Sequence, residues 1–107
     1  MSVIMMLQVD GDPAKMEEYA AANPDKMEGI RNRAVEKGLI AHRFFGDDNG
    51  HIIVVDEWPD AESFQSFFSE AQDEIGPMMQ EVGVTSEPQP RFLRVLDTHD
   101  KYGWEAS

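Results

Sequence analysis

The sequence predicts one α+β domain whose elements run in the order strand, helix, strand, strand, helix, strand. Short apolar segments with the two-residue period of strands alternate with longer segments that have helical spacing, and Pro and Gly residues separate them. At 107 residues the chain has room for a single core. We expect residues 1–97 to form the domain and residues 98–107 to form a C-terminal tail.

The first strand is predicted from Val3 to Val9, where one face is apolar throughout and the other becomes polar toward its end. A helical segment follows from Ala14 to Lys37, with Asp12 as N-cap and Pro13 at the first helical position. Apolar residues keep helical spacing through Pro24. This pattern predicts one kinked or broken helical arm that buries a single face.

Two strands of a hairpin are predicted from Leu39 to Phe45 and from His51 to Trp58, joined by a turn rich in Asp, Asn and Gly. Pairing the two residues that flank this turn would place His42 opposite Val55. Glu57 would then be a diagonal neighbour of His42 and able to orient its ring.

A second helix is predicted to begin after Pro59, to be interrupted at Gly76-Pro77 and to end at Gly83. The last strand is predicted from Arg91 to Leu96. This order of elements is that of the ferredoxin-like fold, a four-stranded antiparallel sheet with two helices on one face.

The strand segment Ile52 to Val55 is apolar on both of its faces, which indicates a central strand that is covered on both sides. The two helices can cover only one face of the sheet. We therefore expect a second copy of the chain to pack against the other face, so that the homodimer forms a dimeric α/β barrel. In the tail, Tyr102 and Trp104 are candidates to wrap the partner subunit, unless the tail is disordered.

Composition excludes several classes of function. The formal net charge of -12 argues against binding nucleic acid or anionic membranes. No apolar run approaches the ~20 residues of a membrane helix, and the N-terminus lacks the pattern of a signal peptide, so we expect a cytoplasmic protein. The absence of cysteine excludes disulfides, thiolate catalysis and Cys-based metal sites.

No metal site is predicted. His42, His51 and His99 lie far apart and lack the paired spacing of metal ligands. The acidic turn at residues 47–50 lacks the downstream Glu of a calcium loop. Phosphate-binding loops and nucleophile elbows are also missing, which sets aside phosphoryl transfer and serine hydrolysis.

The segment from Ile53 to Gln65 joins a strand that ends in Trp58 to a short acidic cap and an aromatic-rich helix. It resembles the antibiotic-biosynthesis-monooxygenase family of the dimeric α/β-barrel superfamily, and the resemblance extends from about Val3 to Leu96. It implies a pocket between sheet and helices in each subunit. Relatives include oxygenases that form quinones with neither metal nor flavin, so the resemblance implies no cofactor.

Haem-degrading relatives carry a helical His that ligates iron and an Asn on the first strand. In this sequence the segment from Glu74 to Pro77 contains no imidazole, and the first strand has Met6 and Gln8. A haem site would therefore lack its axial ligand, which argues against haem chemistry.

His42 is the candidate catalytic residue. It would act as a general base that removes a proton from a phenol or enol before the reaction with oxygen, because imidazoles exchange protons near neutral pH. The alternative is a histidine that forms hydrogen bonds with a partner subunit. The predicted register places Arg43 on the opposite face, diagonal to Asp56, where an ion pair is expected rather than an anion-binding site.

Five residues are candidates for binding a small apolar or aromatic ligand. Gln8 is a polar side chain on a buried strand, Tyr19 is a phenol on the first helix and Glu57 is the carboxylate beside His42. Trp58 places an indole at the end of a strand, and Phe67 places a phenyl ring on the second helix. For Tyr19, Trp58 and Phe67 the alternative is packing in the core.

The sequence thus supports two hypotheses. The first is a cofactor-independent monooxygenase that acts on a small aromatic or polyketide-like molecule. The second is a homodimer of the same fold that binds a small molecule without turnover or has a purely structural role. A space filled by Met and Phe side chains would favour the second hypothesis.

Overall fold

The computed structural model describes residues 2–103, which form a four-stranded sheet and four helices. The elements in chain order are β1 (Val3–Asp10), α1 (Pro13–Ala22), α2 (Pro24–Glu36), β2 (Ala41–Gly46), β3 (His51–Trp58), α3 (Ala61–Glu70), α4 (Gln72–Glu81) and β4 (Gln89–Arg94). All strand pairs are antiparallel, and the strand order is β2-β3-β1-β4. The predicted α+β, ferredoxin-like fold is confirmed.

The first helical arm is broken into α1 and α2 at Asn23. As predicted, Asp12 caps α1 by accepting a hydrogen bond from the N–H of Ala14, and Pro13 occupies the first turn. At Asn23 both the backbone N–H and the side-chain amide donate to the carbonyl oxygen of Tyr19. These bonds close α1, and Pro24 starts α2 in a position where its missing N–H costs nothing.

The second arm is broken at Ala71, not at the predicted Gly76-Pro77. Helix α4 continues through Pro77, whose ring removes the one backbone hydrogen bond that would reach the carbonyl of Asp73. Gly83 follows the end of α4 with a φ of 78°, as expected for a residue that ends a helix.

The hairpin register differs from the prediction by one residue, because Gly46 pairs with Ile52 and not with His51. The carboxylate of Asp47 accepts hydrogen bonds from the backbone N–H groups of Asn49 and His51 and thereby organises the turn. The backbone N–H of Asp47 donates to the carbonyl oxygen of His51 and closes the turn, whereas the prediction paired Gly46 with His51. Every residue of β2 consequently faces a partner different from the predicted one.

The last strand is also displaced, since β4 spans Gln89–Arg94 and not the predicted Arg91 to Leu96. In the tail, Tyr102 is 98% exposed. Trp104, the other tail residue considered for a partner contact, lies outside the described residues.

Alternate residues of the strands face the helices and form the core with them. The largest fully buried side chains of this core are Trp58 and Met5. The remaining buried apolar side chains come from three strand positions, the helices, the residue between α3 and α4 and the residue after α4: Leu7, Val9, Ile52, Met16, Tyr19, Ala34, Phe64, Phe67, Ala71, Ile75, Met78 and Val82.

The opposite face of the sheet is uncovered in the single chain, and we call it the open sheet face. It presents apolar side chains from all four strands: Ile4, Met6, Phe45, Ile53, Val55 and Leu93. Polar side chains on the same face include Gln8, Arg43, Glu57 and Arg91. Phe45 is 49% exposed and Leu93 is 38% exposed. Among the described residues no helix has both the length and the apolar character needed to cross a membrane.

Ion pairs join α2 to the second helical arm. Arg33 bonds to the carboxylates of Asp73 and Glu74 and to the carbonyl oxygen of Glu70, while Lys37 contacts the Glu70 carboxylate at 2.9 Å. The hydrogen bonds to Glu74 and Asp73 raise the pKa of Arg33, and the hydrogen bond from Lys37 lowers the pKa of Glu70. These contacts hold the helices together above the sheet.

The hairpin turn predicts how stability depends on acid. The hydrogen bond from the His51 ring, with those from the backbone N–H groups of Asn49 and His51, lowers the pKa of Asp47. A lowered pKa contributes stability above the unfolded-state value of about 3.9, and this contribution is lost as the pH falls through the folded-state value.

We expect Asp47→Asn to reduce the free energy of unfolding at pH 7 and to differ progressively less from the wild type below about pH 4. Urea unfolding at a series of pH values measures the difference. Asp48→Asn removes an exposed carboxylate from the same turn and serves as control. A difference between Asp47→Asn and the wild type that stays constant with pH would contradict this account.

Candidate functional site

A cavity of about 100 Å³ lies between the sheet and helices α2, α3 and α4. Three of its lining residues are polar or charged: Arg31, His42 and Asp56. The others are apolar: Met5, Leu7, Met27, Ile30, Ala34, Leu39, Phe44, Val54, Phe64, Phe67, Phe68, Ile75, Met78 and Met79. The volume exceeds that of a single water but is less than the ~150 Å³ of an apolar cavity that binds benzene.

A hydrogen-bonded chain of three side chains stands at this cavity. His42 Nδ1 lies 2.7 Å from Asp56 Oδ1, and Trp58 Nε1 donates to Asp56 Oδ2 at 3.0 Å. Asp56 and Trp58 both face the helices because they are two residues apart on β3, and His42 is directly opposite Asp56 on β2. The one-residue change in register is what brings His42 and Asp56 together.

Asp56 is 5% exposed, so its carboxylate is removed from water and needs donors for both oxygens. The indole of Trp58 and the imidazole of His42 supply them. Within residues 2–103 no buried side-chain nitrogen or oxygen lacks a hydrogen-bond partner. The pair of donors therefore compensates the burial of the carboxylate.

The contact with Asp56 defines the state of the His42 ring. A carboxylate only accepts hydrogen bonds, so Nδ1 of His42 carries a hydrogen, and in the neutral ring Nε2 is then the free acceptor. The edge of the ring also packs on Phe44, with centroids 4.9 Å apart. The His42 side chain is 29% exposed, which leaves it accessible at the cavity. A carboxylate that orients an imidazole in this way is a recurring arrangement for a general base.

Two of the predicted ligand-binding residues lie at or beside the cavity. Phe67 lines it directly. Trp58 is fully buried behind the cavity, where it packs against Phe64 and Phe67 and donates to Asp56. Of the two possibilities given for Trp58, contact with a ligand or packing in the core, the structure shows the second.

The structure does not bring the other three predicted residues to the cavity. Gln8 is exposed on the open sheet face, because its neighbour Leu7 points toward the helices. Glu57 lies on the same open face and accepts a hydrogen bond from Ser2. Tyr19 is buried against the core from α1 but does not line the cavity. The predicted pocket positions of Gln8 and Glu57 are thus corrected, while Tyr19 takes the alternative position considered for it, in the core.

Two predicted contacts change with the register. Asp56, not Glu57, is the residue that orients His42. Arg43 is opposite Val55 on the open sheet face, so the predicted diagonal approach to Asp56 does not occur. The signal that could have identified Asp56 is its parity along β3, since it falls between the core positions Val54 and Trp58.

No cluster suited to a metal ion occurs among the described residues, counting groups of three or more His, Asp or Glu side chains. In the acidic hairpin turn the Asp47 carboxylate is occupied by His51, whose Nδ1 lies 2.8 Å away. The turn is thus organised by hydrogen bonds within the chain.

The hydrogen bond between Asp56 and His42 predicts a tautomer of the His42 ring that a single substitution reverses. An amide at position 56 cannot accept from both the indole and the imidazole through two oxygens. We therefore expect Asp56→Asn to move the ring hydrogen from Nδ1 to Nε2 and to cost about 1–3 kcal/mol of stability. Ring ¹⁵N NMR spectra report the tautomer and urea unfolding reports the stability. Glu57→Gln, on the opposite face, is the control, and an unchanged tautomer in Asp56→Asn would contradict the prediction.

Comparison with known proteins adds evidence on the fold. No protein-family model matches the chain, and no curated protein matches it at a significant level. A monooxygenase from Streptomyces coelicolor, solved in complex with nanaomycin D, matches with a TM-score of 0.67 and 14% sequence identity, over 91% of this chain and 89% of that one.

Two further solved structures are similar over most of their length. An antibiotic biosynthesis monooxygenase matches with a TM-score of 0.60 and 14% identity, over 88% of this chain and 98% of that one. A dimeric ferredoxin-like protein from an uncultured marine organism matches with a TM-score of 0.63 and 16% identity, over 91% and 98%. Identities this low establish the fold alone. The resemblance predicted from the sequence is confirmed at this level: the chain has the ferredoxin-like fold found in antibiotic biosynthesis monooxygenases.

Proposed function

We propose that the chain is a homodimeric monooxygenase that acts without metal or flavin on a small aromatic or polyketide-like molecule carrying a phenol or enol. The observation that carries this proposal is the hydrogen-bonded chain from Trp58 through Asp56 to His42 at the edge of an apolar cavity. Similar structures named as monooxygenases make oxygen chemistry the first reaction class to test.

The first step is removal of a proton. Nε2 of His42 accepts the proton of a substrate hydroxyl, which leaves the substrate as an oxyanion and the ring as an imidazolium. The carboxylate of Asp56, held by Trp58, stabilises that imidazolium through the hydrogen bond at Nδ1. Trp58 has the role of a positioning residue, because it contacts Asp56 and not the cavity.

The second step is oxidation by O₂, with the substrate as the source of electrons. An electron-rich oxyanion passes electrons to O₂ and forms a carbon–oxygen bond, and loss of water from the resulting peroxide leaves a new carbonyl group. For a simple phenol the products are a quinone and one water, so that one oxygen atom enters the product and the other becomes water. Substrate C–H and O–H bonds supply both hydrogens of that water.

The cavity favours this chemistry because most of its lining side chains are apolar. Phenyl rings from α3 and thioethers from α4 line the cavity together with His42. Apolar walls strengthen the interaction between Asp56 and His42 and limit competing proton transfer to a reactive anion. Its volume of about 100 Å³ is below that of a benzene-binding cavity, so a planar ring enters when the flexible side chains of Met27, Met78 and Met79 move aside.

Oxygen uptake in the presence of a panel of quinols and phenols tests the proposal. We expect His42→Ala to lower the turnover of an accepted substrate by about 10²–10⁴-fold, the usual contribution of a general base. We expect Asp56→Asn to lower turnover as well, because Nε2 then carries a hydrogen. His51→Ala removes a histidine of the hairpin turn that does not line the cavity, and it is the control. Equal turnover in His42→Ala and the wild type would show that the assigned base is wrong.

The proposed homodimer follows from the open sheet face. On this face Val55 on β3 is opposite Met6 on β1, with Ile4 and Ile53 as diagonal neighbours, and the described helices all lie on the other side. An apolar surface of this kind is stable in water when a second apolar surface covers it. A structurally similar protein is described as dimeric. Packing of two such faces would leave the cavity of each subunit intact, since the cavity lies on the helical side.

A charge at the centre of the open sheet face tests the dimer. We expect Ile53→Glu to shift the molar mass in light scattering after size exclusion from that of two chains toward that of one, because a carboxylate would be buried without a partner. Gln65→Glu places the same charge on the exposed side of α3 and is the control. A wild type that elutes with the mass of one chain would contradict the proposed assembly.

The alternative is a homodimer that binds a small molecule without turnover or that has a structural role. The cavity volume favours it, since about 100 Å³ is below the ~300–1,000 Å³ of most ligand pockets. The observation that separates the two functions is oxygen uptake at saturating ligand. Binding of aromatic ligands with no uptake across the panel would favour the alternative.

A further inference from the structure

We propose that Arg31 stabilises the oxyanion that His42 creates, and thereby selects substrates that enter the cavity as neutral molecules and lose a proton inside it. This inference rests on the proposed role of His42 and extends it, because it names the residue that receives the negative charge. It also defines the substrate class as a phenol or enol rather than a preformed carboxylate.

The first observation is the place of Arg31 on helix α2. Met27, Ile30, Arg31 and Ala34 all line the cavity. Their spacing of i, i+3, i+4 and i+7 is that of the apolar stripe by which an amphipathic helix faces its core. Arg31 is the one cationic member of this stripe. An arginine can lay its methylene groups along such a stripe and keep its guanidinium at the rim.

The second observation is that the guanidinium of Arg31 forms a long, exposed ion pair within its own helix. Its ion pair in the described structure is with Glu28, at 3.7 Å, and the two side chains are 54% and 64% exposed. Exposed pairs of this kind contribute little. Arg33 differs, because it bonds to two carboxylates and a carbonyl oxygen across the helical interface. Of these two arginines, Arg31 has donors to offer a ligand.

The third observation concerns the other polar groups of the cavity. Both oxygens of Asp56 already accept hydrogen bonds, one from Trp58 and one from His42. When Nε2 of His42 takes the substrate proton, Asp56 balances the imidazolium. The negative charge left on the substrate oxygen has no counterpart on Asp56 or His42. Among the lining residues Arg31 is the side chain that can balance it.

The charge of the whole chain indicates in which form the substrate enters. A formal net charge of -12 repels an anion that approaches from solution. A neutral phenol meets no such barrier and becomes an anion only next to Arg31. Local positive charge within a negative protein therefore favours substrates with an ionisable O–H over substrates that are already anionic.

Titration of bound 4-nitrophenol tests this inference, because its anion absorbs visible light and reports ionisation directly. With the full-length protein in excess, we expect the wild type to lower the pKa of the bound phenol, and Arg31→Gln to raise it by about one unit relative to the wild type. We expect Arg31→Lys to restore most of the shift, since it keeps the charge. Lys26→Gln removes an exposed charge from the same helix and is the control.

The outcomes separate this inference from the proposed function. A pKa of the bound phenol that is equal in Arg31→Gln and Lys26→Gln would overturn the role of Arg31, while His42-dependent oxygen uptake would still support the proposed base. Binding of 4-nitrophenol outside the cavity, or no binding at all, would overturn both. Circular dichroism of each variant confirms that the exposed substitutions leave the fold unchanged.

Discussion

The structure depends on one buried carboxylate. Asp56 is 5% exposed in a layer of apolar side chains, and burial without two donors would cost several kcal/mol. Trp58 supplies the first donor from the same strand, and His42 supplies the second from the neighbouring strand. The bond from His42 is made only in the observed register of β2 and β3. Because the Asp56 carboxylate needs a second donor, it favours this register of the hairpin and orients the ring of His42.

The sheet and the helices contribute differently to the site. The sheet fixes His42 and Asp56 through backbone pairing, whereas the helices supply a wall of phenyl and thioether groups that can rearrange. Ion pairs from Arg33 and Lys37 tie α2 to α3 and α4 on the outer side of that wall. His42 and Asp56 are held in fixed positions by the sheet, while the apolar side chains of the helices can adapt. This combination would suit flat ligands of different shapes. The same fold occurs in proteins that share about 14% of their residues with this chain, so the function has to be argued from these side chains.

Strand periodicity and turn residues were sufficient to predict the fold, including the central position of β3 and the apolar face opposite the helices. They were not sufficient for the register, because a turn of Asp, Asn and Gly residues is compatible with closure at more than one pair. The actual closure depends on where the Asp47 carboxylate bonds, which is a tertiary detail. The position of that closure explains why Asp56, and not the predicted Glu57, lies beside His42. Gln8 was misplaced for another reason, since its polarity was taken to indicate a pocket when it marks a position facing away from the helices.

The proposed function requires that the space beside His42 takes an aromatic ligand. The methionines provide the most direct measurement, by NMR of ¹³C-labelled methyl groups during titration with a phenol. The four that line the cavity are Met5, Met27, Met78 and Met79. Two others lie elsewhere, because Met6 is on the open sheet face and Met16 packs from α1 into the core without lining the cavity. We predict that the ligand shifts the four cavity signals and leaves those of Met6 and Met16 in place. Shifts confined to Met6, or no shift at saturating phenol, would contradict the account.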